Sequence, residues 1–126
     1  DDPQLASKML SAVITGMQEN GLAACAKHFP GDGVDYRDQH IVTTANTLSM
    51  HEWKQLHGKV FQDLIDSGVI SIMPGHITLP AYQRQLHSNG LPLPATLSGE
   101  LIENLLKKEM AIPCWRSFWK GKKRQP

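Results

Sequence analysis

Two stretches of this chain end in side chains able to bind and to move protons. Lys27-His28-Phe29-Pro30-Gly31-Asp32-Gly33 sets an ammonium and an imidazole at the end of a short apolar run, and Met73-Pro74-Gly75-His76 sets another imidazole at the end of a second run. The segment after the first run supplies Asp35, Arg37, Asp38 and His40. Asp38 and His40 are two residues apart, near enough for a carboxylate to orient an imidazole and keep it usable as a proton carrier near neutral pH. Each feature also has a plain structural reading. A Lys-His pair can be a solvated strand end, and Asp-x-His an ordinary polar loop.

The elements that must position these residues follow from periodicity. From Gln4 to Asn20 the residues Leu5, Met9, Leu10, Val13, Ile14 and Met17 recur at helical spacing, with Asp2-Pro3 as start and Gly21 as stop. This predicts a helix with one buried face. Leu22 to Phe29 is short and apolar, as a strand buried on both faces would be, and it ends at a Pro-Gly turn. A polar loop from Val34 to Leu48 leads to a Ser49/Glu52 capping box and a second helix carrying Trp53, Leu56, Val60, Phe61, Leu64 and Ile65, which stops at Ser67-Gly68. Val69 to Met73 reads as a second buried strand ended by Pro74-Gly75. A loop from Ile77 to Thr96 then reaches Ser98, the cap of a third helix with Leu101, Ile102, Leu105, Leu106 and Met110.

Helices alternating with doubly buried strands imply βα units and a parallel sheet, in which ligand sites gather at the carboxyl ends of the strands. Both expected strands carry their ionisable residues at that end. Two strands neither close a barrel nor cover an open sheet, so the expectation includes missing strands, from a longer product or from a partner chain.

At 126 residues the chain allows one domain and falls short of the roughly 250 residues of a complete eight-stranded barrel. No apolar run approaches the roughly 20 residues of a membrane span, and neither nucleic acid nor membrane is expected as a partner. Net charge is +1, but Arg116, Lys120, Lys122, Lys123 and Arg124 all follow the last acidic residue, Glu109; subtracting these five charges leaves −4. We read residues 111–126 as an atypical basic tail, solvated or foreign to the fold. Cys25 and Cys114 fit neither a disulfide framework nor a zinc knuckle, which favours a reducing compartment such as the cytoplasm. No signal peptide is visible at Asp1, and location is left open.

Lys27-His28-Phe29-Pro30-Gly31-x-Gly33 followed by Asp38-x-His40 resembles the signature of family 3 glycoside hydrolases, its N-acetylglucosaminidase branch above all. Met73-Pro74-Gly75-His76 resembles the family's next strand end, and Pro94-Ala95-Thr96-Leu97-Ser98 the segment that opens its following helix. The resemblance implies a partial (β/α)8 barrel of two or three βα units over residues 1–110, acting on β-linked N-acetylglucosamine with retention and without cofactor or metal. By the same resemblance Lys27 and His28 bind sugar hydroxyls, His76 lines that subsite, and Asp38 with His40 forms the general acid/base pair. The motif departs from the family's pattern at Asp32, where a histidine is common, and at Gln39, where a serine is.

The family's nucleophile is an aspartate on the strand expected after Met110, but Ala111 to Pro126 holds no acidic residue. No nucleophile is therefore expected in this chain, and without one no covalent glycosyl intermediate forms. Other readings are a β-glucosidase-type member, which generally lacks Asp-x-His; an inactive carbohydrate-binding remnant; and a metal module joining His28, His40 and His76, whose spacing matches no short ligand motif.

Overall fold

The computed structural model describes residues 2–86 and 92–112. The expectations for the basic cluster and for Cys114 lie outside the described residues, as do positions 87–91 of the long loop.

Asp2 starts the first helix, α1 (Pro3–Glu19): its carboxylate accepts the Gln4 and Leu5 N–H groups at 2.9 and 3.1 Å, which satisfies two of the helix's free donors. Gly21, at φ 80°, turns the chain out of it. Strand β1 (Cys25–Phe29) pairs in parallel with β3 (Ser71–Pro74), Cys25 opposite Ser71 and Lys27 opposite Met73, with an irregularity between Lys27 and Phe29. The Lys27–His28 and Phe29–Pro30 peptide bonds are cis.

Between these strands lie β2 (Thr44–Ala45), α2 (Met50–Gln55) and α3 (His57–Asp66). After them come β4 (Ile77–Thr78), α4 (Pro80–Leu86) and α5 (Glu100–Glu109), a wide helix in which Met110 N–H still reaches back five residues to Leu105 O. The expected capping box is present: Ser49 Oγ accepts Glu52 N–H at 3.3 Å while Glu52 Oε2 accepts Ser49 N–H at 3.0 Å. Ser98 Oγ likewise accepts Leu101 N–H at 3.3 Å at the start of α5.

Phe29, Trp53 and Phe61 meet edge to face, Phe29 lying 6.2 Å from Trp53 and 5.3 Å from Phe61 between ring centroids. Leu64, Ile65, Leu101, Leu105 and Leu106 close the core around them. Full burial of each such side chain stabilises by about 1.5–3 kcal/mol, so these residues fix α2, α3 and α5 against β1.

Several expectations are corrected. The single helix after Ser49 is two, because the backbone breaks at Leu56 (φ −108°, ψ −94°) and His57 turns into hydrogen bonds with the Gly31 turn region. The polar loop and the Pro/Gly-rich loop each contain a two-residue strand, β2 and β4, paired in parallel; two residues are too few to show a period. The strands are not buried on both faces: Cys25 is exposed and Met73 is 45% exposed, since among the described residues β1 and β3 have only each other as neighbour. Nor is the apolar face of α1 covered, since Ser7 and Ile14 are its buried residues while Met9 and Val13 are 62% and 55% exposed. An apolar groove of about 470 Å³ runs between α1, β1 and α3, with His28, Gly31 and Asp32 at its rim. Among the described residues no helix is long and apolar enough to cross a membrane.

Candidate active site

The turn after β1 is built by side chains that bond its backbone. Trp53 Nε1 donates to Pro30 O at 2.8 Å, and buried Asn46 donates to Gly31 O at 3.2 Å and to His57 Nδ1 at 3.0 Å. His57 Nδ1 therefore accepts, its proton sits on Nε2, and that nitrogen donates to Asp32 O at 3.1 Å. Burial pushes the His57 ring below its ordinary value, which keeps it neutral in this position. Gly31, at φ 123°, has no room for a side chain: a Cβ there would lie 2.5 Å from the His57 ring.

Lys27 and His28 lie within β1, just before this turn. Lys27 is exposed, and its ammonium makes no hydrogen bond or ion pair among the described residues. His28 Nδ1 meets Asp32 Oδ2 at 2.8 Å. An ionised carboxylate only accepts, so Nδ1 carries the proton and Nε2 is left for another partner.

The following loop folds back over that histidine. His40 and Asp38 are bonded as the two-residue spacing suggests: His40 Nδ1 meets Asp38 Oδ1 at 2.7 Å, and the His40 backbone N–H donates to the same oxygen at 2.8 Å. Those two hydrogen bonds, the backbone one first, hold the Asp38 carboxyl below the usual carboxylate range. The His40 ring stands edge-on to that of His28, with 5.4 Å between centroids. The loop's first residues are pinned by Asp35, which accepts Ala45 N–H at 3.2 Å and clasps Arg37 at 2.6 Å; the Arg37 hydrogen bond is the main reason the Asp35 carboxyl lies well below its ordinary value.

His76 lies two residues past β3. Its backbone N–H donates to Gln39 Oε1 at 2.8 Å, and its ring Nδ1 is 2.9 Å from Thr96 Oγ1. The structure thus sets His28 beside His40 and links His76 to the same loop through its backbone. It gathers no three His, Cys, Asp or Glu side chains into a metal-holding group among the described residues, so the three-histidine reading is set aside.

Sequence reasoning gave no role to Asn46, His57 or Thr96 and took Asp32 and Gln39 only as departures from the motif. Asp32 stands four residues from His28, a spacing that offered some signal. Asn46 bonds His57 11 residues away, and Gln39 bonds Asp32 and His76 at separations of 7 and 37 residues, which no local pattern encodes.

Solved structures place the fold among sugar-processing enzymes. The chain aligns with a beta-glucoside phosphorylase at a TM-score of 0.85 and 36% identity, covering 89% of this chain and 21% of that one. A family 3 beta-N-acetylglucosaminidase from Paenibacillus sp. str. FPU-7 aligns at a TM-score of 0.75 and 31% identity, over 86% of this chain and 20% of that one. Residues 1–116 match the glycosyl hydrolase family 3 N-terminal domain, and the chain belongs to that family. It is 42% identical to a beta-N-acetylglucosaminidase/beta-glucosidase of Cellulomonas fimi, over 88% of this chain and 20% of the relative's length. A beta-hexosaminidase of Nitrosomonas eutropha is 28% identical over 88% of this chain and 30% of its own length.

Proposed function

We propose that the protein carrying this chain cleaves β-linked N-acetylglucosaminides with retention of configuration, and that residues 1–110 form two or three βα units of its eight-stranded barrel. The observation that carries the proposal is the Asp38–His40 pair, bonded at 2.7 Å with the histidine ring 5.4 Å from that of His28. Asp38 occupies Nδ1, so His40 Nε2 is the atom that exchanges a proton with substrate. In the first step a carboxylate attacks the anomeric carbon, the glycosidic C–O bond breaks, and His40 gives its Nε2 proton to the departing oxygen. In the second, neutral His40 takes a proton from water as that water displaces the carboxylate. Lys27 and His28 Nε2 hold sugar hydroxyls, and His76 lines the same subsite. No acidic residue follows Glu109, so the attacking carboxylate comes from outside this stretch.

Likeness to the beta-glucoside phosphorylase supports a second reading, in which inorganic phosphate replaces water in the second step and the product is a sugar 1-phosphate. A neutral imidazole does not repel phosphate as a carboxylate base would. One assay addresses both readings. Purified full-length protein is given aryl β-N-acetylglucosaminide and aryl β-glucoside, with and without phosphate, and products are separated as free sugar and sugar phosphate. Absence of turnover on either sugar contradicts the proposal.

A further inference from the structure

Gln39 sits between Asp38 and His40 in sequence and opposite to them in environment. It is 6% exposed, whereas every other residue from Tyr36 to Thr43 is exposed. Its Nε2 donates to Asp32 Oδ1 at 2.6 Å, and its Oε1 accepts the His76 backbone N–H at 2.8 Å. The other Asp32 oxygen holds His28 Nδ1 at 2.8 Å. A carboxylate can only accept and a backbone N–H can only donate, so an amide, with a donor and an acceptor on one carbon, satisfies both at once. Gly75 leaves room for it: a Cβ there would come within 2.4 Å of Gln39 Oε1 and 2.9 Å of His28 Cβ.

We infer that Gln39 is the positioning residue of the proton-transfer pair: docked on Asp32 and on the His76 backbone, it holds the loop so that the His40 ring stays beside His28. Among the described residues it is the one side chain from Tyr36 to Thr43 that bonds the loop to the ends of β1 and β3. The inference rests on the reading of Asp38 and His40 given above.

An exchange of partners tests it in the full-length protein. Gln39→Glu sets a carboxylate against Asp32. Adding Asp32→Asn restores a donor–acceptor pair between the two positions and still leaves a carbonyl oxygen for His28 Nδ1. The expected result is a fall in kcat of about 10- to 100-fold for Gln39→Glu, with KM little changed, and recovery of most of it in the double variant. Amide hydrogen exchange over residues 36–43 is expected to quicken in Gln39→Glu and to return to wild-type rates in the double variant. A residue serving stability alone would shift the thermal midpoint and leave kcat per folded molecule unchanged. Unchanged kcat and exchange in Gln39→Glu, or losses that the second substitution does not reverse, overturn the inference. His40→Ala is run beside them: if it abolishes turnover while Gln39→Glu does not, the inference alone falls, and if it leaves turnover intact, the proton-transfer reading falls first.

Discussion

Proton transfer by a histidine depends on which ring nitrogen is free. Asp38 bonds Nδ1 of His40 and is itself held ionised by the His40 backbone N–H, so the ring is turned with Nε2 outward. Asp38→Asn keeps the shape and offers Nδ1 an amide that can present either atom; turnover is expected to fall by about 10²–10⁴-fold, measured as kcat on an aryl glycoside. His57 works by the opposite logic. Burial pushes it below its ordinary 6.5, so the unfolded chain binds the proton more readily than the folded one. Its contribution to stability is therefore full above about pH 6.5 and fades as pH falls through that value toward the folded pKa. Thermal midpoints taken between pH 7 and 5 are expected to drop less in His57→Gln than in wild type; equal slopes contradict this. The Asp38–His40 pairing was legible because two residues of spacing suffice to bring the groups together. The Asn46–His57 and Gln39–His76 bonds were not, since they exist only once β2, α3 and the end of β3 have met.

At the scale of elements, the site stands on the break between α2 and α3. Trp53 packs against Gly58 and donates to Pro30 O, so the helix pair grips the turn that carries His28 and Asp32. A Cβ at Gly58 would lie 2.7 Å from the Trp53 ring and 3.1 Å from its carbonyl oxygen. Gly58→Ala is thus expected to destabilise by about 1–3 kcal/mol despite alanine's better helix propensity, read from denaturant midpoints, and an increase in stability would contradict the packing described. The first helix, strands β1 and β3 with their parallel pairing, and the caps at Asp2, Ser49 and Ser98 were readable from periodicity and capping residues, whereas α4 lies inside the stretch expected to be a loop. The break at Leu56 was not, because Trp53, Leu56, Val60 and Phe61 keep helical spacing straight through it; the hydrogen bonds that His57 accepts from distant Asn46 and donates to the Asp32 carbonyl override that spacing. Strands β2 and β4 escaped notice for want of length.

Among the described residues β1 and β3 have one partner each, and α1 leaves Leu5, Met9, Leu10 and Val13 between 44% and 62% exposed. Relatives that this chain matches are several times longer, the Cellulomonas fimi protein having 20% of its length covered. Unpaired parallel edges beside an apolar helix face are a docking template, so the 126-residue chain on its own is expected to bind a hydrophobic dye and to self-associate in light scattering. A dye-silent monomer would contradict this. Periodicity foretold the apolar stripe of α1 but not that Met9 and Val13 on it would stand bare, which depends on how α1 packs on α3. Proton donation from His40 to the leaving oxygen is put to the test in the full-length protein by comparing wild type and His40→Ala on two aryl glycosides of one sugar, one with a dinitrophenyl leaving group and one with a poorly activated phenol. With His40 as the donor, His40→Ala is expected to lose little of the bond-breaking rate on the first, which departs without a proton, and most of it on the second. Equal losses on both would contradict it.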